Sequence, residues 1–434
     1  MAARDPSHGL PRRTFLARSA LTALGVGALG AGARIGQAAP SRPESGDAVR
    51  PSTGGAGSAA QVKARRPLGK TGLEMSDISF GSSRSSDADL VRYAFDRGVN
   101  YFDTAESYGG GDSEAAVGKG LAGVRDRVVL TTKTSCEADT TRAELERALE
   151  GSLKRLRTDH VDIYLNHAVN DLERLKNPAW PEFVERAKRD GKIRFAGMSG
   201  HGGRLIECLD YALDHDLVDV ILVAYNFGQD PGFLEGLTRS FDFIAVQPEL
   251  PRVLAKAHEK GVGTVTMKTL RGAKLNDMRP YEKGGRTFAQ AAFRWVLANP
   301  SVSGLVISMT SREQIDEYLG ASGGEPPARA DLELLGLYLA TAGADYCNHG
   351  CAECESSCPA GVPVSEVLRT RMYATHYGDL AFARAEYASL AVDASACSSC
   401  TGLPCLGACP HGLAVSRLTT SAHQMLAQPS LLSI

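Results

Sequence analysis

Between Arg66 and Leu319, short apolar runs alternate with amphipathic stretches of helical period, eight times over. The runs that predict strands are Ile78–Gly81, Asn100–Thr104, Val128–Lys133, Val161–His167, Ile193–Ser199, Val220–Tyr225, Thr264–Lys268 and Leu305–Ser308. Segments such as Ala88–Arg97, Arg142–Leu156 and Glu182–Asp190 space apolar residues three and four apart, which predicts helices between the strands. Gly98, Gly191 and Gly261 stand where helix C-termini call for a left-handed residue. Strands joined by helices pair in parallel, because the crossover returns the chain to the same end of the sheet. Eight such units in about 250 residues predict a closed (β/α)8 barrel. An open doubly wound sheet is the alternative, but no Gly-x-Gly-x-x-Gly follows the first strand.

A barrel of this kind presents its chemistry at the C-terminal ends of the strands. The second strand ends in Asp103, with Tyr108 just beyond; the third ends in Lys133 and the fourth in His167. Taken singly, Lys133 reads as a rim ion pair and His167 as a loop histidine. Converging, the four suit proton delivery to a carbonyl. A free tyrosine, with a pKa of about 10, is a poor acid at neutral pH. A cation beside it favours phenolate and lowers that pKa. Lys133 is placed to be that cation, Asp103 to pair with it, and His167 to orient the carbonyl. Hydride would come from a nicotinamide.

Tyr101-Phe102-Asp103-Thr104-Ala105-Glu106-Ser107-Tyr108-Gly109, then Ser113-Glu114 and Val117-Gly118, resembles the signature of the aldo/keto reductases. Val129 to Lys133, Val161 to His167 and Gly191 to Ser199 are similar to the family's next segments. The resemblance covers roughly Arg66 to Leu319. It implies a TIM barrel, NAD(P)H as hydride donor, and Asp103, Tyr108, Lys133 and His167 as the catalytic tetrad. The cofactor side departs from the family pattern. Ser199 is followed by Gly200-His201 where the family often has asparagine, Leu222 stands where a glutamine is common, and Met267-Lys268 replaces a stacking aromatic. After the eighth strand, Ser311 opens a helix whose N–H groups suit a phosphate, and Arg312 offers the nearby charge. Ser199, Ser311 and Arg312 are therefore the expected cofactor contacts. His201 is a minor candidate for touching substrate. Cys136 and Cys208 read as small buried apolar side chains.

Eight of the ten cysteines crowd the C-terminal end in two runs. Cys347, Cys351, Cys354 and Cys358 precede Pro359; Cys397, Cys400, Cys405 and Cys409 precede Pro410. That spacing is a ligand pattern of ferredoxin-type clusters, in which the cysteine before proline serves the other cluster. It assigns one 4Fe-4S cluster to Cys347, Cys351, Cys354 and Cys409, and a second to Cys397, Cys400, Cys405 and Cys358. Cys347 to Cys351 and Cys400 to Cys405 are spaced wider than the common pattern, so His349 stands as an alternative ligand. Zinc is a second reading and disulfides a third; zinc sites usually use two separated pairs, and cysteines two or three apart pair with strain. Helical patterns at Ser365–Tyr377 and Ala381–Leu390 separate the runs. The whole resembles the subgroup of aldo/keto reductases that carries a C-terminal ferredoxin-type domain.

At the other end, Pro11-Arg12-Arg13-Thr14-Phe15-Leu16 precedes a weakly apolar, Gly- and Ala-rich stretch from Ser19 to Ala33. This resembles a bacterial twin-arginine export signal, a route that carries folded proteins with their clusters already in place. The expected organisation is a signal over residues 1–39 and a flexible tether over 40–64. The barrel follows over 65–321, a linker with a connecting helix over 322–345, and a mainly helical ferredoxin-like iron–sulfur domain over 346–434. The expected location is the periplasm or cell envelope, with retention as an uncleaved membrane anchor as an alternative. The hydrophobic fraction of 43% suffices for a sizeable core. A net charge of −2 gives no bulk attraction to nucleic acid. The partners expected are a small carbonyl or alcohol substrate, a redox partner protein and the twin-arginine export machinery. A different class stays open, in which the barrel has lost its cofactor and the chain acts as an electron-transfer or interaction subunit.

Overall fold

Strand pairing closes the barrel that the alternation predicts. The computed structural model describes residues 60–201, 204–228, 249–270, 278–342, 347, 353–375, 380–410 and 412–427. The expected export signal, most of the tether, His349 and Cys351 lie outside these residues. Among the described residues, the first elements are a hairpin of β1 (Arg65–Pro67) and β2 (Glu74–Ser76). It continues through β3 (Ile78–Gly81), α1 (Ala88–Asp96), β4 (Tyr101–Asp103), α2 (Asp112–Gly120), β5 (Val129–Thr134), α3 (Arg142–Leu156) and β6 (Val161–Asn166). Next come α4 (Leu172–Lys176), α5 (Ala179–Arg189), β7 (Ile193–Gly200), α6 (Leu205–Asp214), β8 (Val220–Ala224), α7 (Leu250–Glu259) and β9 (Gly263–Met267). The barrel's last elements are α8 (Phe288–Leu297), β10 (Gly304–Ser308) and α9 (Arg312–Leu319). Strands β3 to β10 are parallel, and β10 pairs back onto β3.

Period-two alternation sorts each strand into an inner and an outer row. Tyr101, Val129, Ile163, Leu165, Val220, Leu222, Val265 and Val306 pack together inside the barrel. Their neighbours Phe102, Leu130, Tyr164, Ile221 and Leu305 belong to the outer core beneath the helices. The N-terminal hairpin carries no strong sequence pattern, yet Leu68 and Met75 join the inner cluster. A Cβ on Gly263 would strike Leu68 and one on Gly304 would strike Met75. Since these glycines open β9 and β10, the hairpin closes the N-terminal floor of the barrel.

Local signals set the helix ends. Asp87 accepts from the N–H groups of Asp89 and Leu90 at the start of α1, and Thr141 with Glu144 forms a reciprocal capping box on α3. Gly118 lets α2 lie against α3: a Cβ there would run into the backbone of Leu156.

After the barrel, α10 (Arg329–Ala342) covers the longest stretch expected as linker, and it is packed rather than merely connecting. Leu335 and Tyr338 are buried in the barrel's outer core, and the Tyr338 ring sits 4.7 Å from that of Phe288. Asp331 is fully buried, 2.9 Å from Arg286 and 3.2 Å from Arg294. Beyond it, α11 (Val364–Thr375), α12 (Leu380–Ala388), α13 (Pro404–Ala408) and α14 (Val415–Leu426) gather a second, smaller core around Val367, Ala383, Tyr387 and Ala422. No helix among the described residues is long and apolar enough to cross a membrane.

Candidate active site

The inner row ends at the barrel's C-terminal mouth in polar residues. Asp103 lies two positions beyond Tyr101 on β4, and Lys133 lies four beyond Val129 on β5, so both point inward. His167 follows Leu165 by two and continues the inner row of β6. Tyr108 begins a tight turn after β4, where Gly109, Gly110 and Gly111 all take positive φ (59°, 65° and 102°). Three successive left-handed residues suit glycine alone, and they turn the chain so that Tyr108 sits over the mouth.

Lys133 is the hub. Its Nζ donates to Asp103 Oδ2 at 2.8 Å, to the Thr104 carbonyl at 2.6 Å, and to Tyr108 Oη at 3.4 Å. The rings of Tyr108 and His167 meet edge to face with centroids 5.6 Å apart. His167 Nδ1 lies 3.4 Å from Ser107 Oγ. All four sequence-predicted residues therefore converge.

Electrostatics at this centre follow from burial and the lysine. Burial works against charge on Lys133, but Asp103 and Tyr108 outweigh it and raise its pKa, so the ammonium persists. Tyr108 departs from expectation. Burial raises its pKa, Lys133 pulls it down and Asp103 pushes it up again, leaving it above the ordinary tyrosine value. Asp103 neutralises much of the cation that was expected to lower it. Tyr108 is thus a protonated phenol at neutral pH, with an ammonium in place to receive the charge of its phenolate. Burial, followed by the Lys133 ammonium and the nearby His201, Arg174 and Lys268 side chains, depresses His167 well below the usual range and keeps its imidazole neutral.

The cofactor candidates separate. Ser199 is buried on the inner row of β7; its hydroxyl accepts from the Ala168 N–H at 2.9 Å. Leu222 packs in the inner apolar cluster and Met267 lies against it, so neither offers an amide or an aromatic ring. Ser311 caps α9 by accepting from the Gln314 N–H, while exposed Arg312 stacks 5.0 Å over the Tyr93 ring. Buried Asp103 Oδ1 and Thr269 Oγ1 have no hydrogen-bond partner among the described residues, a demand that a polar ligand meets. Unpartnered Asp103 Oδ1 and the buried Ser199 hydroxyl are polar groups of the kind that a nicotinamide carboxamide pairs with. Cys136 and Cys208 are fully buried, and burial pushes both thiols up to about 11.

Residues 72–325, more than half of the chain, match the Aldo/keto reductase family. The chain belongs to that family. It is 28% identical to L-galactose dehydrogenase of Arabidopsis thaliana over 63% of this chain and 90% of that protein. It is 26% identical to L-glyceraldehyde 3-phosphate reductase of Escherichia coli over 63% of this chain and 92% of that protein. An aldo-keto reductase of Bacillus halodurans, solved in its holo form, shares the fold at a TM-score of 0.51. That likeness is 22% identical and covers 64% of this chain and 96% of the other. The chain is an NAD(P)-dependent oxidoreductase of the aldo/keto reductase type.

The family match ends before the cysteine runs of this reductase. Cys354 is buried, and Cys347, Cys358, Cys397, Cys400, Cys405 and Cys409 are half-buried. The turn at Glu355–Ser357 packs against α13, which brings Cys358 to the second run. Burial raises the Cys405 pKa, and Cys397, Cys400 and Cys358 lie near enough to act on it electrostatically. No group of three or more His, Cys, Asp or Glu side chains among the described residues is close enough to hold a single metal ion. A cube of four irons spreads its thiolates wider than one ion does.

The sequence reading missed part of the mouth. Glu366, Arg369 and Tyr373 of α11 reach it from the C-terminal segment, and Lys268 and His201 meet them from β9 and β7. The available signal was an Arg–Glu pair three apart on a helix whose other face is apolar.

Proposed function

We propose that this reductase is an exported iron–sulfur enzyme in which Tyr108 is the general acid for a carbonyl substrate, and the general base for an alcohol in the reverse direction. The observation that carries the reading is Lys133, buried and hydrogen-bonded to both Asp103 and Tyr108. Tyr108 gives its proton to the carbonyl oxygen; Lys133, held by Asp103, stabilises the phenolate left behind. Neutral His167 orients the same oxygen by a hydrogen bond. Ser199 holds the cofactor, with Ser311 and Arg312 as its further contacts. When bound, the nicotinamide supplies or accepts the hydride.

Two 4Fe-4S clusters complete the proposal, one on Cys347, Cys351, Cys354 and Cys409, the other on Cys358, Cys397, Cys400 and Cys405. The nearness of Cys358 to Cys405 supports this crossed sorting over one cluster per run. When bound, such clusters carry single electrons, here to or from a redox partner protein. The segment over residues 346–434 is then a ferredoxin-type domain that follows the barrel of residues 65–321 in sequence. Arg12-Arg13 marks residues 1–39 as a signal for the twin-arginine machinery, which delivers the folded chain to the periplasm or cell envelope.

The test is an anaerobic preparation assayed for iron and for NAD(P)H-dependent carbonyl reduction. About eight irons per chain, with activity abolished by Tyr108→Phe, is the expected result. Zinc in place of iron defeats the cluster assignment, and undiminished turnover by the variant defeats the acid assignment.

A further inference from the structure

The mouth of the barrel is roofed by the C-terminal segment. Glu366 Oε1 on α11 lies 4.0 Å from His201 Nδ1 at the end of β7. One turn along, Arg369 pairs with Glu366 at 2.6 Å and with Glu386 of α12 at 3.0 Å, and donates to Tyr373 Oη at 3.1 Å. Tyr373 in turn is near enough to act on Tyr108. The helix that follows the first cysteine run thus places three polar side chains above the tetrad.

Two groups beneath this roof are unsatisfied. His201 Nδ1 is buried without a hydrogen-bond partner. Lys268, half-buried just after β9, makes no hydrogen bond or ion pair through its Nζ with any described residue. Its backbone is left-handed (φ 57°), a conformation that is strained for a non-glycine residue and persists where the surroundings impose it. Arg369 is fully engaged by carboxylates, whereas Lys268 beside it is not. A half-buried amine without a carboxylate partner, when protonated, attracts an anion.

We propose that Lys268 and His201, under the Glu366–Arg369–Tyr373 roof, form a substrate subsite that takes a carboxylate or phosphate carried on a small aldehyde or ketone. This rests on the reading of Tyr108 as the acid. The subsite holds the substrate's anionic end while the tetrad engages its carbonyl, so α11 sets specificity for the barrel. An anion there has two sources, the substrate or the cofactor's phosphates, and the proposal commits to the substrate.

The test compares two four-carbon aldehydes, succinic semialdehyde and butyraldehyde, with the full-length, cluster-loaded protein. A charge-assisted contact predicts that wild type favours the anionic aldehyde by about tenfold or more in kcat/KM. Lys268→Met collapses that ratio through KM for succinic semialdehyde, and Lys268→Arg restores it. Affinity for NADPH, read by fluorescence titration, changes little in Lys268→Met; a matching loss would assign the anion to the cofactor and overturn the proposal. Equal kcat/KM for the two aldehydes in wild type would overturn it as well. Tyr108→Phe separates the readings: if it leaves turnover of both aldehydes intact, the acid assignment has failed whatever the ratio shows.

Discussion

The barrel mouth and the cysteine segment assemble polar groups by opposite means. In the barrel, Asp103, Lys133 and His167 meet because parallel strands with a period of two face them inward, in a register that sets Asp103 opposite Thr131 and Lys133 opposite Leu165. Asp103 and Lys133 are buried, and a packed inner layer lies beneath them. The described cysteines sit instead on short turns and on the five-residue α13, and all but Cys354 are half-buried around a small core. The fold alone therefore preorganises the first site, whereas the second rests on a small core to which the proposed clusters, when bound, would add cohesion.

The largest effect that sharpens this contrast is at Lys133. Lys133→Met leaves Asp103 buried and unpaired, which is expected to cost about 3–5 kcal/mol of stability and to remove carbonyl reduction. Denaturant unfolding and a steady-state assay read both. Stability unchanged within error would mean that the barrel mouth is not preorganised by this pair. Cys405→Ser comes next. It is expected to lower bound iron by about half, one four-iron cluster of two, while hydrogen exchange in β3 to β10 stays as in wild type. Loss of protection throughout the barrel would break the comparison, because the two sites would then share one stability.

A smaller effect is expected at Gly118. Gly118→Ala drives a methyl into the Leu156 backbone, overpacking worth about 1–3 kcal/mol, read as a lowered Tm. The smallest effect is a pH dependence at the roof. Burial, then Arg369, lowers the Lys268 pKa to about 7, against the opposing pull of Glu366 and Glu386; His201 and His167 also face it. Its ammonium is present below that value and lost as pH rises through it. The KM for succinic semialdehyde should rise about fivefold between pH 7 and pH 8, following the protonated fraction. The KM for butyraldehyde should not follow that curve. Glu366 does not titrate in this range: burial favours its neutral form, yet Arg369, His201 and Lys268 hold its pKa near 2.

Most of the barrel was legible because its signals are local. Each expected strand is present within a residue or two at either end, and Gly98, Gly191 and Gly261 do take positive φ (93°, 71° and 72°). The same periodicity placed Asp103, Lys133 and His167 on one inner face, and the segment after β4 singled out Tyr108. What escaped depends on contacts between distant segments. The floor hairpin is two three-residue strands, too short for a pattern. Asp331 reads as an ordinary helix-start acid until Arg286 and Arg294 fold against it. The roof residues Glu366, Arg369 and Tyr373 lie about 100 residues or more from Lys268 and His201, and charge alone gives no pairing rule at that separation. The direction of the Tyr108 pKa was also missed, since a sequence shows the lysine but not how much burial opposes it.

The central claim is that the mouth of this barrel is a working nicotinamide-dependent site in which Tyr108 moves the proton. A fluorescence titration of the cluster-loaded protein with NADPH and NADH, followed by single-turnover reduction of succinic semialdehyde, tests it directly. At least one cofactor should bind to wild type and to Tyr108→Phe with similar affinity, and only wild type should oxidise it when the aldehyde is added. Failure of both cofactors to bind, or equal oxidation by the variant, would contradict the account.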